Sequence, residues 1–241
     1  MSLVEIESEG AIISIKLNRP DKHNALSPDM LRALLDAFAA VEEEKNRRAV
    51  LISGHGRSFS SGADRKAVAQ LSGGDEIRGY AQLMRDTLSA IRNCAVPVVA
   101  SVHGYALGAG CGIVTVCDIA VAAPDSVFGF PEIRHGILPA LVVPGLVERI
   151  GPNRAFPLLA TGRDIDAAEA FAIGLISEIA KDDPSIRARE IALRLADAPA
   201  GHIEKLRELV RSSSEDGFDS AIETARKHNI DARLEAAGKS V

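Results

Sequence analysis

The chain has 241 residues, a net charge of −5, 46% hydrophobic and 25% charged residues, which suits one large domain or two small ones and excludes wholesale disorder. Mild acidity, 4% aromatics and no Trp argue against a nucleic-acid protein, which needs a basic stripe and stacking platforms. No run approaches the ~18 apolar residues of a membrane span, and the opening MSLVEIESEG lacks the basic and apolar regions of a secretory signal, so a cytoplasmic protein without a membrane partner is expected.

Residues 3–9 and 11–17 alternate in polarity around Gly10, which predicts a hairpin. Ser27-Pro28 supplies a cap and a first-turn proline, and Leu31, Leu34, Leu35, Phe38 and Val41 continue at helical spacing to about Glu44. Ala49–Ile52 is a short apolar run, expected as a buried strand that ends in the Gly/Ser-rich loop Ser53–Gly62. A helix over 75–92, a strand over Pro97–Val102, a glycine-rich turn Gly104–Gly112 with an apolar helix to about Cys117, and a strand Ile119–Ala122 follow. Helices are expected at 143–150, 152–161 and 166–173, with a strand at Leu175–Ile179. From 184 the tail reads as helical, broken at Ala198–Gly201 and Ser212–Gly217. Strand–helix alternation of this kind specifies an α/β core. Cys94, Cys111 and Cys117 have no C-x-x-C spacing and fit free thiols; Cys111 and Cys117 fall at helical spacing in an apolar stretch, as core residues do.

Three segments have the makings of a site. Arg57–Lys66 follows a buried strand and opens into a helix, so small residues leave backbone N–H groups accessible; a plain strand-to-helix connection is the alternative. His103–Gly112 has the same placement. Its glycines permit close approach to the backbone, and the helix start adds a favourable dipole for an oxygen that turns negative. Tight packing through small residues explains it equally well. A dinucleotide fingerprint fails there, because the glycines fall at 108, 110 and 112 and G-x-G-x-x-G is absent. Neither a phosphate-binding P-loop nor a G-x-S-x-G elbow occurs. In Phe128–Gly136, Glu132 stands among apolar residues, where its pKa would rise far enough for proton exchange near neutrality; a helix cap or an ion pair with Arg134 is the competing reading. His135, three residues on, could lie near Glu132. His103 reads as an orienting group and Asp64 as the cap of the helix after the first loop. No His/Cys/Asp/Glu group has metal-ligand spacing, so no metal is expected.

Taken in order, Asn18-Arg19-Pro20, Asn24-Ala25-Leu26, Phe59–Asp64, Pro97–Gly110, Cys117-Asp118-Ile119, Phe128–Glu132, Thr161-Gly162 and Ala172–Ile176 resemble the crotonase (enoyl-CoA hydratase/isomerase) family over roughly residues 3–180. The resemblance implies a spiral of β-β-α units with a helical C-terminal region, divided as a core over 1–185 and a trimerisation or lid region over 186–241, assembled as a homotrimer or hexamer. It implies an acyl-CoA thioester as substrate, with coenzyme A part of the substrate and no separate cofactor. The amides of Ala63 and Ala109 would hold the thioester oxygen as an enolate, and Glu132 would transfer the proton. Lys22, Ala25, Asp64, Arg65, Lys66, Gly108 and Ala140 would contact the substrate. The family's other glutamate would fall at Gly112, which leaves single-glutamate isomerisation and hydration both open. The turn Pro139–Pro144 departs from the family's glycine-rich sequence, and its branched side chains are expected to reshape the acyl pocket beside Glu132. The final residues Leu234–Val241 lack the family's aromatic, basic ending. The competing expectation is an acyl-CoA binder that kept the fold without the chemistry.

Overall fold

The alternation around Gly10 folds as expected: β1 (Val4–Glu9) and β2 (Ile12–Leu17) pair antiparallel, with Ile6 opposite Ile15. The computed structural model describes residues 2–215, 217–236 and 238. Ser27 caps α1 (Pro28–Glu43) by accepting from the Met30 amide, and the helix buries Met30, Leu31, Leu34, Ala37, Phe38 and Val41. β3 (Ala49–Gly54), α2 (Arg65–Ala69), α3 (Gly74–Arg92), β4 (Val98–Val102), β5 (Tyr105–Leu107), α4 (Ala109–Val116), β6 (Ile119–Ala122) and β7 (Val127–Gly129) follow. After a 3₁₀ turn at Pro131–His135 come α5 (Val143–Ile150), α6 (Pro152–Thr161), β8 (Asp164–Asp166), α7 (Ala167–Ala172), β9 (Glu178–Ile179), α8 (Pro184–Ala196), α9 (His202–Glu215) and α10 (Phe218–Ala236).

Two sheets organise these elements. The larger runs β1-β2-β3-β4-β6-β9 and is parallel after the hairpin. The smaller, β5-β7-β8, was not foreseen, because three-residue strands carry no readable period. Single bridges Ser60↔Ala106 and Leu26↔Ala63 carry its pairing on to the earlier loops. Each turn of the chain therefore lays a strand in the large sheet, an extended segment beside the small one, and then a helix: β3, residues 58–63, α2; then β4, β5, α4. That is the expected spiral. The strand foreseen at Leu175–Ile179 shrinks to β9, while Leu175 and Ile176 are core residues.

Both faces of the parallel strands are covered, which is why they read as unbroken apolar runs. Val50, Ile52, Val98, Ala100 and Val102 face the main core with α1 and α4, while Ala49, Leu51, Val99 and Val121 face Ala188 and Ala192 of α8. All three cysteines are buried and outside any disulfide.

The chain divides into two compact units, Met1–Ala196 and Asp197–Val241. A boundary at 185/186 was expected from the onset of the helical tail; α8 instead packs under the sheet and extends the first unit to Ala196. In the second unit α9 and α10 pack on each other. α9 runs through the expected break at Ser212 to Glu215. Leu234–Ala236 end α10, and of the five residues beyond only Gly238 is described. No helix among the described residues is long and apolar enough to cross a membrane.

Candidate active site

The first loop is held by a polar side chain in an unusual backbone state. His23 and Asn24 have φ of 48° and 53°, a left-handed region that Asn tolerates better than most residues. Asn24 is fully buried. Its Oδ1 accepts from the Arg19 amide at 2.8 Å, and its Nδ2 donates to the carbonyls of His55 at 2.9 Å and Ser58 at 2.8 Å. This clamp brings residues 24–26 alongside 60–64. The Leu26 amide then donates to the Gly62 carbonyl at 2.8 Å, and the Asp64 amide to the Leu26 carbonyl at 3.1 Å. Because the peptide bond is planar and trans, tying the Gly62 carbonyl to Leu26 turns the Ala63 N–H to the opposite side.

The second turn repeats that arrangement. Gly108, at φ 51° and ψ −124°, precedes Ala109, the first residue of α4. The Gly108 carbonyl accepts from the Gly112 amide at 2.9 Å as the first bond of the helix, so the Ala109 N–H points outward from the helix start, beyond the reach of the i→i−4 ladder. The turns touch: a Cβ on Gly62 would lie 2.6 Å from the Leu107 carbonyl oxygen and 3.3 Å from the Ala109 nitrogen. Only glycine, which also tolerates φ 88° there, lets them approach so closely.

Glu132 follows Pro131 in the 3₁₀ turn and reaches back to the second loop. A Cβ on Gly108 would stand 2.6 Å from its Oε1. Its Oε2 is buried without a hydrogen-bond partner. Burial pushes the carboxyl up from its ordinary range, against a bond from its own backbone amide. The ion pair with Arg134 does not form; Arg134 donates to Asp164 at 2.6 Å. A half-buried carboxylate left without a cation is costly to charge, which is the state that favours proton exchange.

The two turns and Glu132 border a cavity of about 920 Å³, although buried Ala109 itself is not among the residues that line it. Ala63, Arg65, Lys66, Gly108, Glu132 and His135 stand on its wall, with Ser61, Val68, Ala69, Tyr80, Pro131 and Ile137. Arg65 Nη1 donates to His135 Nε2 at 3.3 Å across this wall, so the imidazole lone pair faces Arg65. Tyr80 donates its hydroxyl to the Leu26 carbonyl at 3.1 Å, and burial, with the charge of Asp64, pushes the phenol up to about 12.

The remaining expected residues lie elsewhere. Asp64 caps α2, accepting from the Lys66 and Ala67 amides at 3.1 and 3.0 Å, and pairs with Arg19 at 2.6 Å. Burial acts to raise its pKa, but the Ala67 amide and the Arg19 guanidinium outweigh that and hold it below its ordinary value. Lys22 is exposed and Ala25 buried. His103 bonds the Gly56 carbonyl at 3.0 Å. Ala140 is exposed, and none of residues 140–143 lines the cavity, so the turn does not narrow it. Val142 instead points into the core over Gly112: a Cβ on Gly112 would lie 2.7 Å from Val142 Cγ1 and 3.8 Å from Leu88 Cδ2. The two departures noted separately in the sequence are one packing contact. Sequence reasoning quoted Asn24 only within a motif and expected Val142 to shape the acyl pocket; it missed the clamp made by the first and the packing of the second on Gly112. The first could have been suspected from Asn where a turn needs φ above zero; nothing local signals the second.

The family model described as Enoyl-CoA hydratase/isomerase matches residues 7–234. A curated relative from Mycobacterium tuberculosis, named "Probable enoyl-CoA hydratase", is 32% identical over 219 residues, covering 90% of this chain and 84% of its own. The crystal structure of an enoyl-CoA hydratase from Thermoplasma volcanium is 31% identical with a TM-score of 0.87, covering 98% of this chain and 93% of that one. The enoyl-CoA hydratase of Mycobacterium smegmatis is 28% identical with a TM-score of 0.88, covering 96% and 91%. The chain belongs to the enoyl-CoA hydratase/isomerase family, and its fold is that of the crotonases.

Proposed function

We propose that the protein acts on an acyl-CoA thioester, holding the thioester oxygen with the Ala63 and Ala109 amides and moving one proton with Glu132. The observation that carries the reading is the unpartnered, buried Oε2 of Glu132 in a cavity lined also by Ala63 and Gly108, with no acceptor for the Ala63 and Ala109 amides among the described residues. A thioester carbonyl becomes an enolate when its α-carbon loses a proton. Two fixed N–H donors stabilise that developing charge, and one such donor contributes about 3–4 kcal/mol. Arg65 and Lys66, on the cavity wall, and exposed Lys22 supply positive charge for the phosphates of coenzyme A despite the net acidity of the chain.

The count of carboxylates favours one reaction type. Glu132 is the one carboxylate among the described residues lining the cavity, and Val142 occupies the space a side chain at 112 would need. Adding water across a double bond calls for activation of water and protonation of carbon, which two carboxylates divide between them. A shift of a double bond needs one group. The Glu132 carboxylate removes the α-proton of a 3-enoyl thioester, the electron pair moves onto the carbonyl oxygen as the dienolate, and the Glu132 carboxyl returns the proton to the γ-carbon to give the 2-enoyl thioester. The apolar wall of Val68, Ala69, Ile137 and the Tyr80 ring suits an unfunctionalised acyl chain.

The test offers short and branched 3-enoyl- and 2-enoyl-CoAs and follows the double bond by absorbance and NMR. Migration from the 3- to the 2-position that is abolished in Glu132→Gln supports the reading. Unchanged turnover in that variant removes Glu132 from its role. Tight binding by calorimetry with no turnover of any thioester makes the protein a binder that kept the fold.

A further inference from the structure

We infer that Ser60 is the positioning residue that sets both carbonyl-binding amides at once. The inference rests on the carbonyl-binding reading above. Ser60 is fully buried and is not among the residues lining the cavity. Its hydroxyl uses both of its capacities: it donates to the Asn24 carbonyl at 2.9 Å and accepts from the Gly62 amide at 3.2 Å. The first bond fastens the segment that carries Leu26, whose amide orients the Gly62–Ala63 peptide; the second fastens the preceding Ser61–Gly62 peptide, on the other side of the Gly62 Cα. The main chain of Ser60 serves the second turn. Its carbonyl accepts from the Leu107 amide at 3.0 Å, and its amide donates to the Tyr105 carbonyl at 2.9 Å. The start of α4 rests directly on it: a Cβ on Gly110 would lie 2.6 Å from the Ser60 carbonyl oxygen and 2.8 Å from its Oγ. One residue thus fixes the Gly62–Ala63 peptide through its side chain and the approach to Gly108–Ala109 through its backbone. Removing the hydroxyl frees the first amide to rotate while the second, held by backbone bonds, stays. A buried hydroxyl with both capacities satisfied orients its partners more strictly than packing alone.

The experiment uses a non-reactive saturated acyl-CoA with a ¹³C-labelled thioester carbonyl, bound to the wild type, Ser60→Ala and Ser60→Cys. The readouts are the carbonyl stretching frequency and ¹³C shift in the complex, with dissociation constants by calorimetry and folding by circular dichroism. In the wild type the stretch falls on binding, as two donors polarise the carbonyl. Ser60→Ala is expected to lose at least half of that change while the dissociation constant moves less than about threefold, since Ser60 does not line the cavity. Ser60→Cys, a small replacement that keeps a weak donor and acceptor, falls between the two. A Ser60→Ala complex with the full wild-type shift overturns the assignment. If Ser60→Ala does not fold, Ser60→Cys decides: a reduced shift supports the role and an undiminished one ends it. A wild-type carbonyl that shows no shift on binding takes down the carbonyl-binding reading itself, and the role of Ser60 with it.

Discussion

The contact between Gly112 and Val142 is open to a direct energetic test, because two opposing effects of known size meet there. Gly112 lies inside α4, where alanine is favoured over glycine by about 1 kcal/mol. Its new methyl would stand 2.7 Å from Val142 Cγ1, where ordinary contact begins at 3.4 Å. Val142 is buried and β-branched, so it yields stiffly, and overpacking of this kind costs about 1–3 kcal/mol. Gly112→Ala should therefore fall between no change and a loss of about 2 kcal/mol. Val142→Ala alone removes two methyl groups, at about 0.8 kcal/mol each plus the cavity left behind. In the double variant the methyl of residue 112 enters the space vacated by Cγ1. The clash disappears, the helix preference remains, and the two changes together should cost about 1–3 kcal/mol less than their sum. With no Trp in the chain, urea unfolding is best followed by far-UV circular dichroism at one fixed protein concentration. Additivity within about 0.5 kcal/mol would mean that the two positions do not touch. A side chain at position 112 would then have room.

Variants at four further positions have expected outcomes. Glu132→Gln should lower kcat on the best thioester by about 10²–10⁴-fold. It should also raise Tm: a carboxyl whose folded pKa is raised loses stability as pH climbs from its unfolded value through its folded one, so the gain is largest near neutrality and vanishes below about pH 4. A Tm difference independent of pH contradicts this. Asp64→Asn should show the opposite sense, since a lowered pKa stabilises above the unfolded value and is lost as pH falls through the folded one; its penalty should shrink in acid. Ala109→Pro deletes one amide donor at the first helical position, where proline is tolerated, so turnover should fall about 10²–10³-fold with the circular dichroism spectrum retained. Asn24→Ala should cost about 2–4 kcal/mol in urea unfolding, because it unpairs the Arg19 amide and the His55 and Ser58 carbonyls and puts alanine at φ 53°. Asn24→Gly should recover the backbone part alone.

Much of the architecture was written locally. Alternation on either side of Gly10 needs one buried face and gives the hairpin; Ser27-Pro28 starts α1; and the unbroken runs at 49–52 and 98–102 demand cover on both sides, which α8 and the main core supply. The site was legible to the extent that it is made of backbone. Small residues after a buried strand mark both turns as places where amides can stay exposed, Glu132 stands out by its apolar neighbours, and the roles of all three come from the family resemblance. Three things required the folded chain. The small sheet has strands too short to carry a pattern, yet it sets the two turns side by side. The raised pKa of Glu132 comes from burial that only the folded chain supplies, while its near neighbour Arg134 bonds Asp164, thirty positions further on. The vacancy at Gly112 looked like a missing group until Val142, also thirty positions on, proved to fill it. Periodicity and turn chemistry act between near neighbours and can be read along the sequence. Which side chain reaches a buried oxygen first, or fills a hole, is a competition among residues that only tertiary contact brings together.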